Sequence, residues 1–336
     1  MKFTVIGAGV AGLTTALALA TRGATVEVLE RGASIGAESC SRFAGGMLAP
    51  WCEAESAEEL VVSLGVESLS YWPQRAPHVV ARGSLVLALQ RDGADLDRFA
   101  RRTRNSSLLD ADAIAALEPD LAGRFRRGIF FADEAHLDPR AALPALAEAL
   151  HARGSSLTCN VEVRPNDIDG DHVIDCRGLA ARDALPDLRG VKGEMLIVHC
   201  PDVTLTRPVR LVHPRFPLYI VPRGDNVYMI GATMIESSER GRVTARAMVE
   251  LLNAAYALHP AFAEAEIMEI GCDARPAFPD NLPRIRRNGR VLHVNGLYRH
   301  GFLLSPALAR MAAAVALDNA YFPEVMDEHR RQRTVA

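Results

Sequence analysis

The sequence predicts an α/β chain of two domains, one built on a parallel sheet flanked by helices, the other an inserted α+β domain with an antiparallel sheet. Three observations predict it. The first thirty-one residues read strand, glycine turn, helix, strand. A second strand, glycine turn and long helix lies near the C-terminus, in RVLHVNGLYRHGFLLSPALARMAAAVALD. Between them, 193–200 and 218–233 alternate apolar and polar residues in the manner of antiparallel strands. At 336 residues the chain is also long enough to split into domains, as chains above roughly 250 residues tend to do.

Taken in order, Phe3, Val5 and Ile6 form a short buried strand. A helix begins near Val10, with Leu13, Ala16, Leu17 and Ala20 as its apolar stripe. Gly23 ends it, and Thr25 to Leu29 is the next strand. A βαβ opening makes the first sheet parallel. Residues 54–127 read as helical and charged, with one strand at 84–89. Residues 173–178 form a buried strand ending in glycine, and GCDARPAFPDNLP reads as a loop stiffened by Pro276 and Pro279. The expected nucleotide domain therefore comprises 1–53, 128–192 and 272–336, and the substrate domain 54–127 and 193–271.

Composition narrows the function. Net charge is -3 and the pI about 6.4, which argues against a nucleic-acid partner. The arginine clusters at 101–102 and 124–127 are interleaved with acids, and Arg330, Arg331 and Arg333 read as a frayed end. The six cysteines show no C-x-x-C pair and no clustering with histidine, so no metal site is expected and the thiols read as reduced. No secretion signal is visible, and the longest continuous apolar run near the C-terminus, Ala312 to Leu317, is short. A cytoplasmic protein without a membrane contact is the expectation.

Gly7-Ala8-Gly9-Val10-Ala11-Gly12 matches G-x-G-x-x-G, follows a strand and opens a helix. An acid, Glu30, closes the second strand eighteen positions after Gly12. That context marks a dinucleotide site on a Rossmann-like domain. Gly7 permits the turn, Gly9 admits the pyrophosphate, and Gly12 lets helix and strand pack closely. The N–H groups around Val10 and Ala11 face the phosphates. Glu30, beside Arg31, would accept from the adenosine ribose. SRFAGGMLAPWCEAE then follows, where an NAD enzyme would continue its alternating units, and this favours FAD.

The segments AGGMLAP, VKGEML, LYIVPR with GATM, and GLYRHGFLL resemble the D-amino-acid oxidase superfamily, and within it the glycine oxidases of thiamine biosynthesis. The resemblance runs over essentially the whole chain. It implies that Cys40, Ser41, Gly45, Gly46 and Met47 wrap the flavin and its pyrophosphate, although Arg42 and Phe43 stand where the family has smaller residues. It places the backbone of Val163 at the adenine. It sets Leu297, Tyr298, Arg299, His300, Gly301, Phe302 and Leu303 beside the isoalloxazine. For the substrate it implies Arg275 as the carboxylate anchor, Arg299 as a second cation, Tyr219 as a positioning residue and Met234 as a pocket wall. No general base is expected.

The implied reaction is the FAD-dependent oxidation of glycine by dioxygen to glyoxylate, ammonia and hydrogen peroxide, through an imine that feeds thiazole formation. The resemblance allows a homo-oligomer and transfer of the imine to the thiazole synthase. The rival readings are another oxidase or dehydrogenase of the superfamily, acting on sarcosine or D-amino acids, and a flavin-binding subunit without turnover.

Overall fold

The computed structural model describes residues 1–170, 172–213 and 218–327; the arginines at 330, 331 and 333 lie outside the described residues. The opening unit forms as the sequence predicts, with β1 (Lys2–Ile6), α1 (Val10–Thr21) and β2 (Thr25–Leu29). It is followed by β3 (Met47–Leu48), α2 (Pro50–Glu53), α3 (Glu59–Gly65), α4 (Glu67–Tyr71) and β4 (Ser84–Ala88). Next come α5 (Gly93–Arg102), β5 (Ser107–Asp110), α6 (Ala111–Leu117), β6 (Arg127–Phe131), β7 (Ala135–His136) and α7 (Pro139–His151). The chain continues through β8 (Ser156–Thr158), β9 (Val173–Asp175), β10 (Arg189–His199), β11 (Val209–Val212), β12 (Leu218–Pro222), β13 (Val227–Gly231) and β14 (Ile235–Glu236). It closes with α8 (Ala245–Leu258), β15 (Glu266–Ala277), β16 (Arg284–Asn288), β17 (Val291–Asn295) and α9 (Gly301–Asp318).

One sheet has the order β16-β17-β9-β1-β2-β8 and is parallel except where β16 meets β17. The other has the order β14-β10-β13-β12-β11-β4-β6-β5, with β15 also paired to β10. It is antiparallel apart from the β11–β4 pair. Strand β6 belongs to this sheet, and β10 and β15 run across positions 192 and 272, so the sheets divide the chain at other points than the expected boundaries. The reason is that β6, β10 and β15 are bounded by partners distant in sequence, which local composition does not reveal.

Two segments differ from expectation. Residues 107–110 form β5, a strand within the stretch read as helical. Arg275 and Pro276 sit in β15 and not in a loop. Proline is tolerated there because, among the described residues, β15 pairs only with β10, so its other edge needs no donor.

Helix α9 has 18 residues and a mean hydropathy of 1.3, long and apolar enough by those measures to cross a membrane. The sequence reading counted only its alanine-rich end, because Pro306 and Arg310 interrupt the run. In the fold, α9 is a core helix, 67% buried and packed on α1, α3 and α4.

Pro306 has no N–H, so it cannot serve the carbonyl of Phe302 one turn earlier. The fully buried Trp72 supplies the missing donor, its indole Nε1 reaching Phe302 O at 2.7 Å. Trp72→Phe should leave that buried carbonyl unpaired and lower stability by roughly 1–3 kcal/mol. Chemical denaturation monitored by circular dichroism would measure the loss, and an unchanged midpoint would contradict it.

Candidate functional site

A cavity of about 880 Å³ is lined by the ends of the parallel strands and by residues of β11, β12 and β15. At its nucleotide end, α1 begins at Gly9, which carries no side-chain cap. Gly7 has a φ of +100°, and a Cβ there would lie 2.7 Å from the Cys176 carbonyl oxygen. A Cβ on Gly12 would sit 1.8 Å from the carbonyl oxygen of Gly7, so only glycine lets the helix begin this close to β1. The Ser41 hydroxyl accepts from Val10 N at 3.1 Å. Ser39 Oγ in turn accepts from Ser41 N and stands where a Cβ of Gly9 would project. These small hydroxyls and free main-chain groups suit a pyrophosphate.

Glu30 is buried and holds this end together. Its Oε2 accepts from Ala8 N at 2.6 Å, and its Oε1 accepts from Gly32 N at 2.8 Å. Its main-chain oxygen accepts from Val161 N at 2.9 Å, bringing the strand-like segment with Val163 to the cavity edge. Arg31 pairs with Glu38 at 3.2 Å.

The loop from Cys40 to Met47 forms one wall. Buried Arg223 fixes it by donating to the carbonyls of Ala44, Gly45 and Leu137 at 3.0–3.1 Å and 2.8 Å. Gly45 is needed because a Cβ would come within 3.0 Å of the Tyr219 ring. Gly46, at φ +69°, would put a Cβ 2.2 Å from the Leu137 carbonyl oxygen. Burial, reinforced by Asp273, pushes the Cys40 thiol up to about 12, so it remains protonated.

At the other end, Arg275 lies over Gly193, where a Cβ would collide with its guanidinium. Its Nη1 donates to Thr233 O at 3.2 Å, and among the described residues it forms no ion pair. The nearest acid in sequence, Asp273, pairs instead with Arg240, and Asp280 pairs with Arg284. Met234 is 49% exposed, and its sulfur accepts from Tyr298 Oη and Arg299 Nη1, both at 3.6 Å.

Arg299 is not free. It pairs with the buried carboxylate of Glu53 at 2.8 Å and donates to Ser56 Oγ at 2.6 Å. Glu53 also takes Arg210 at 2.5 Å and His300 Nε2 at 2.8 Å. Burial alone would raise the Glu53 pKa, but Arg299, Arg210 and His300 together hold it well below the usual carboxylate range. Burial lowers the His300 pKa despite Glu53, so the ring is neutral, and the short contact places its proton on Nε2.

All the site residues expected from the sequence line this one cavity except Gly12, which packs behind it. Sequence reasoning missed Glu53, Arg210, Ser39 and Arg223. Glu53 lies in the WCEAE end of a segment the sequence had singled out. Arg210 stands in a strand with no local mark of its partner.

The FAD dependent oxidoreductase family matches residues 2–315. Over 325 residues the chain is 58% identical to a Rhizobium etli protein named for thiamine biosynthesis, the oxidoreductase ThiO, covering 96% of this chain and 99% of that one. It is 27% identical to the bifunctional protein ThiO/ThiG of Trichormus variabilis, covering 97% of this chain and 54% of that one. Its structure is similar to that of the glycine oxidase from Geobacillus kaustophilus, with a TM-score of 0.81, 25% identity and 95% of both chains covered.

Glu30→Ala should remove a charged acceptor, worth roughly 1.5–3 kcal/mol, and release two main-chain donors beside it. FAD affinity should fall about ten- to a hundredfold. A flavin titration after deflavination checks this, and unchanged affinity would move the ribose contact elsewhere.

Proposed function

The chain belongs to the FAD dependent oxidoreductase family, and within it we propose that the enzyme oxidises glycine at its amine. Glycine, water and dioxygen give glyoxylate, ammonia and hydrogen peroxide; the two electrons leave the C–N unit as the imine forms, and dioxygen finally takes them. Bound in the cavity, FAD supplies the two-electron acceptor. The residues present fit it: an uncapped helix start, glycines at 7 and 9, the hydroxyls of Ser39 and Ser41, and the acid Glu30.

The observation that carries the substrate reading is Arg275, a guanidinium at the cavity wall with no acid of its own. A carboxylate entering a largely apolar site is costly unless paired, and a planar fork serves both its oxygens. The proposed division of labour is as follows. Arg275 anchors the substrate carboxylate, Tyr219 orients the Cα, and Met234 closes the wall. Arg299, held by Glu53, adds positive potential at the substrate end. Gly7, Gly9, Val10 and Ala11 would receive the phosphates, Glu30 the ribose, Val163 the adenine, and residues 297–303 the flavin ring. Holding the reacting carbon in place is the main demand on the protein, and no residue is proposed as a general base.

The imine is the species that a thiazole-forming partner would consume. Support comes from the relative whose name joins ThiO to ThiG in one chain. A peroxide assay over glycine, sarcosine and D-amino acids separates this reading from the other amine oxidases, and the absence of peroxide with every amine would leave a dehydrogenase of the superfamily or a non-catalytic flavin protein.

Arg275→Ala should fold and keep its yellow flavin. Its kcat/KM for glycine should drop at least about a hundredfold, near 3 kcal/mol. Arg275→Lys should regain part of that loss, and amines without a carboxylate should be much less affected. If the Ala variant keeps the wild-type KM for glycine, Arg275 does not hold the carboxylate.

A further inference from the structure

Behind the wall formed by Arg210, two buried polar atoms of opposite sense have no hydrogen-bond partner. One is Arg210 Nε, a donor, and the other is Glu134 Oε2, an acceptor. Glu134 lies between β6 and β7 and is fully buried. Its other oxygen accepts from Cys52 N at 2.7 Å, so it grips the residue just before Glu53. Arg210 meanwhile spends its Nη2 on Glu53. A single buried guanidinium therefore stands between two carboxyl groups, engaged by one and within the field of the other.

We propose that Glu134 is a positioning residue for the oxidation: its charge divides Arg210 between two carboxylates and, through Glu53, sets where Arg299 and His300 stand at the substrate end of the cavity. The inference rests on the reading of that cavity as an amino-acid oxidase site.

The groups that face Glu134 come from three elements: Cys52 and Glu53 from α2, Ser84 from β4, and Arg210 from β11. Arg299 and His300 lie beyond Glu53. Burial raises the Glu134 pKa to about 7, against the pull of Ser84, Cys52 N–H and Arg210, and the charge of Glu53 adds to the rise. Glu53 is held far lower, His300 is shifted down, and the Cys52 thiol is shifted well up. Glu134 is thus the member of the set that changes charge near neutrality. When neutral, it leaves Arg210 to Glu53. When ionised, it attracts the free Nε and loosens that bond. Glu53 must then draw harder on Arg299 and His300, which takes them from the substrate.

The test compares wild-type and Glu134→Gln holoenzymes from about pH 5.5 to 8.5. Gln keeps an acceptor for Cys52 N and mimics the neutral acid. The ratio of kcat/KM for glycine, variant over wild type, cancels the titration of the substrate amine. It should be near one at the acid end and rise on the order of threefold or more above pH 8, chiefly through KM. Thermal unfolding of the same holoenzymes is the second readout. A carboxyl raised from 4.5 to about 7 keeps in the fold a proton the unfolded chain has lost, so wild-type stability falls as pH climbs through that window. The melting temperature of the variant should therefore gain on that of the wild type over the same range.

A ratio constant with pH overturns the proposal, whether or not the melting curves separate. If neither protein oxidises glycine but their melting curves still separate, the glycine reading is what has failed, and the ratio is taken with the amine that is turned over. If Glu134→Gln does not fold, Ser84→Ala replaces it. Ser84 lowers the Glu134 pKa, so its loss should move the midpoint of the kcat/KM profile to higher pH, and an unmoved midpoint overturns the proposal.

Discussion

The buried carboxylate of Glu53 is where the two sheets meet chemically. It arrives on α2, one short helix beyond the loop that walls the cavity. Arg210 reaches it from β11 of the antiparallel sheet, and Arg299 and His300 reach it from the turn that leaves the parallel sheet and enters α9. A carboxylate this deep is expensive unless its lone pairs are used. Three donors from two sheets use them, so the substrate face and the turn before α9 are held in one geometry.

How legible this arrangement was depended on distance along the chain. The opening β1-α1-β2 unit is a local pattern: Gly12 is demanded by the Gly7 carbonyl five residues back, even though Gly7 itself clears distant Cys176, and Glu30 is marked by its place at a strand end. The turn before α9 is legible for the same reason, as glycines and a strand point to it. Glu53 has partners 157 and 247 positions away, and nothing in WCEAE announces them. Strand β15 failed for a related reason. Pro276, with Pro279 just beyond the strand, suggests a loop until β10 is seen to pair with it, and the largely exposed stretch from Glu266 to Ile270 hides the alternation a half-buried strand would show.

Several glycines outside the fingerprint make room for protein and not for cofactor. Gly45 clears the Tyr219 ring, Gly46 clears the Leu137 carbonyl, and Gly193 clears the guanidinium of Arg275. The sequence marks the small residue but not the neighbour that requires it. Gly193 shows the consequence: the VKGEML segment matters because its missing side chain, two strand positions from Val191, the register partner of Arg275, lets Arg275 lie across β10 toward the cavity.

The arrangement of charge then separates by role three of the arginines that line the cavity, Arg210, Arg275 and Arg299. Arg210 and Arg299 share a carboxylate that belongs to the protein, and each would have to give up that partner to take a ligand. Arg275 has only a main-chain oxygen to lose among the described residues. An incoming carboxylate therefore exchanges little at Arg275 and much at the other two. At short range a paired arginine contributes a fixed dipole, whereas an unpaired one contributes a full charge, so of these three Arg275 offers the strongest attraction for an anion. Met234 and Tyr219 line the same cavity, and so does the turn before α9, whose Tyr298 N donates to Pro276 O next to Arg275. In the proposed reading, an amino acid held by its carboxylate at Arg275 would be oriented by a single strong contact, and the remaining walls would need only to be close enough to keep its carbon from turning away.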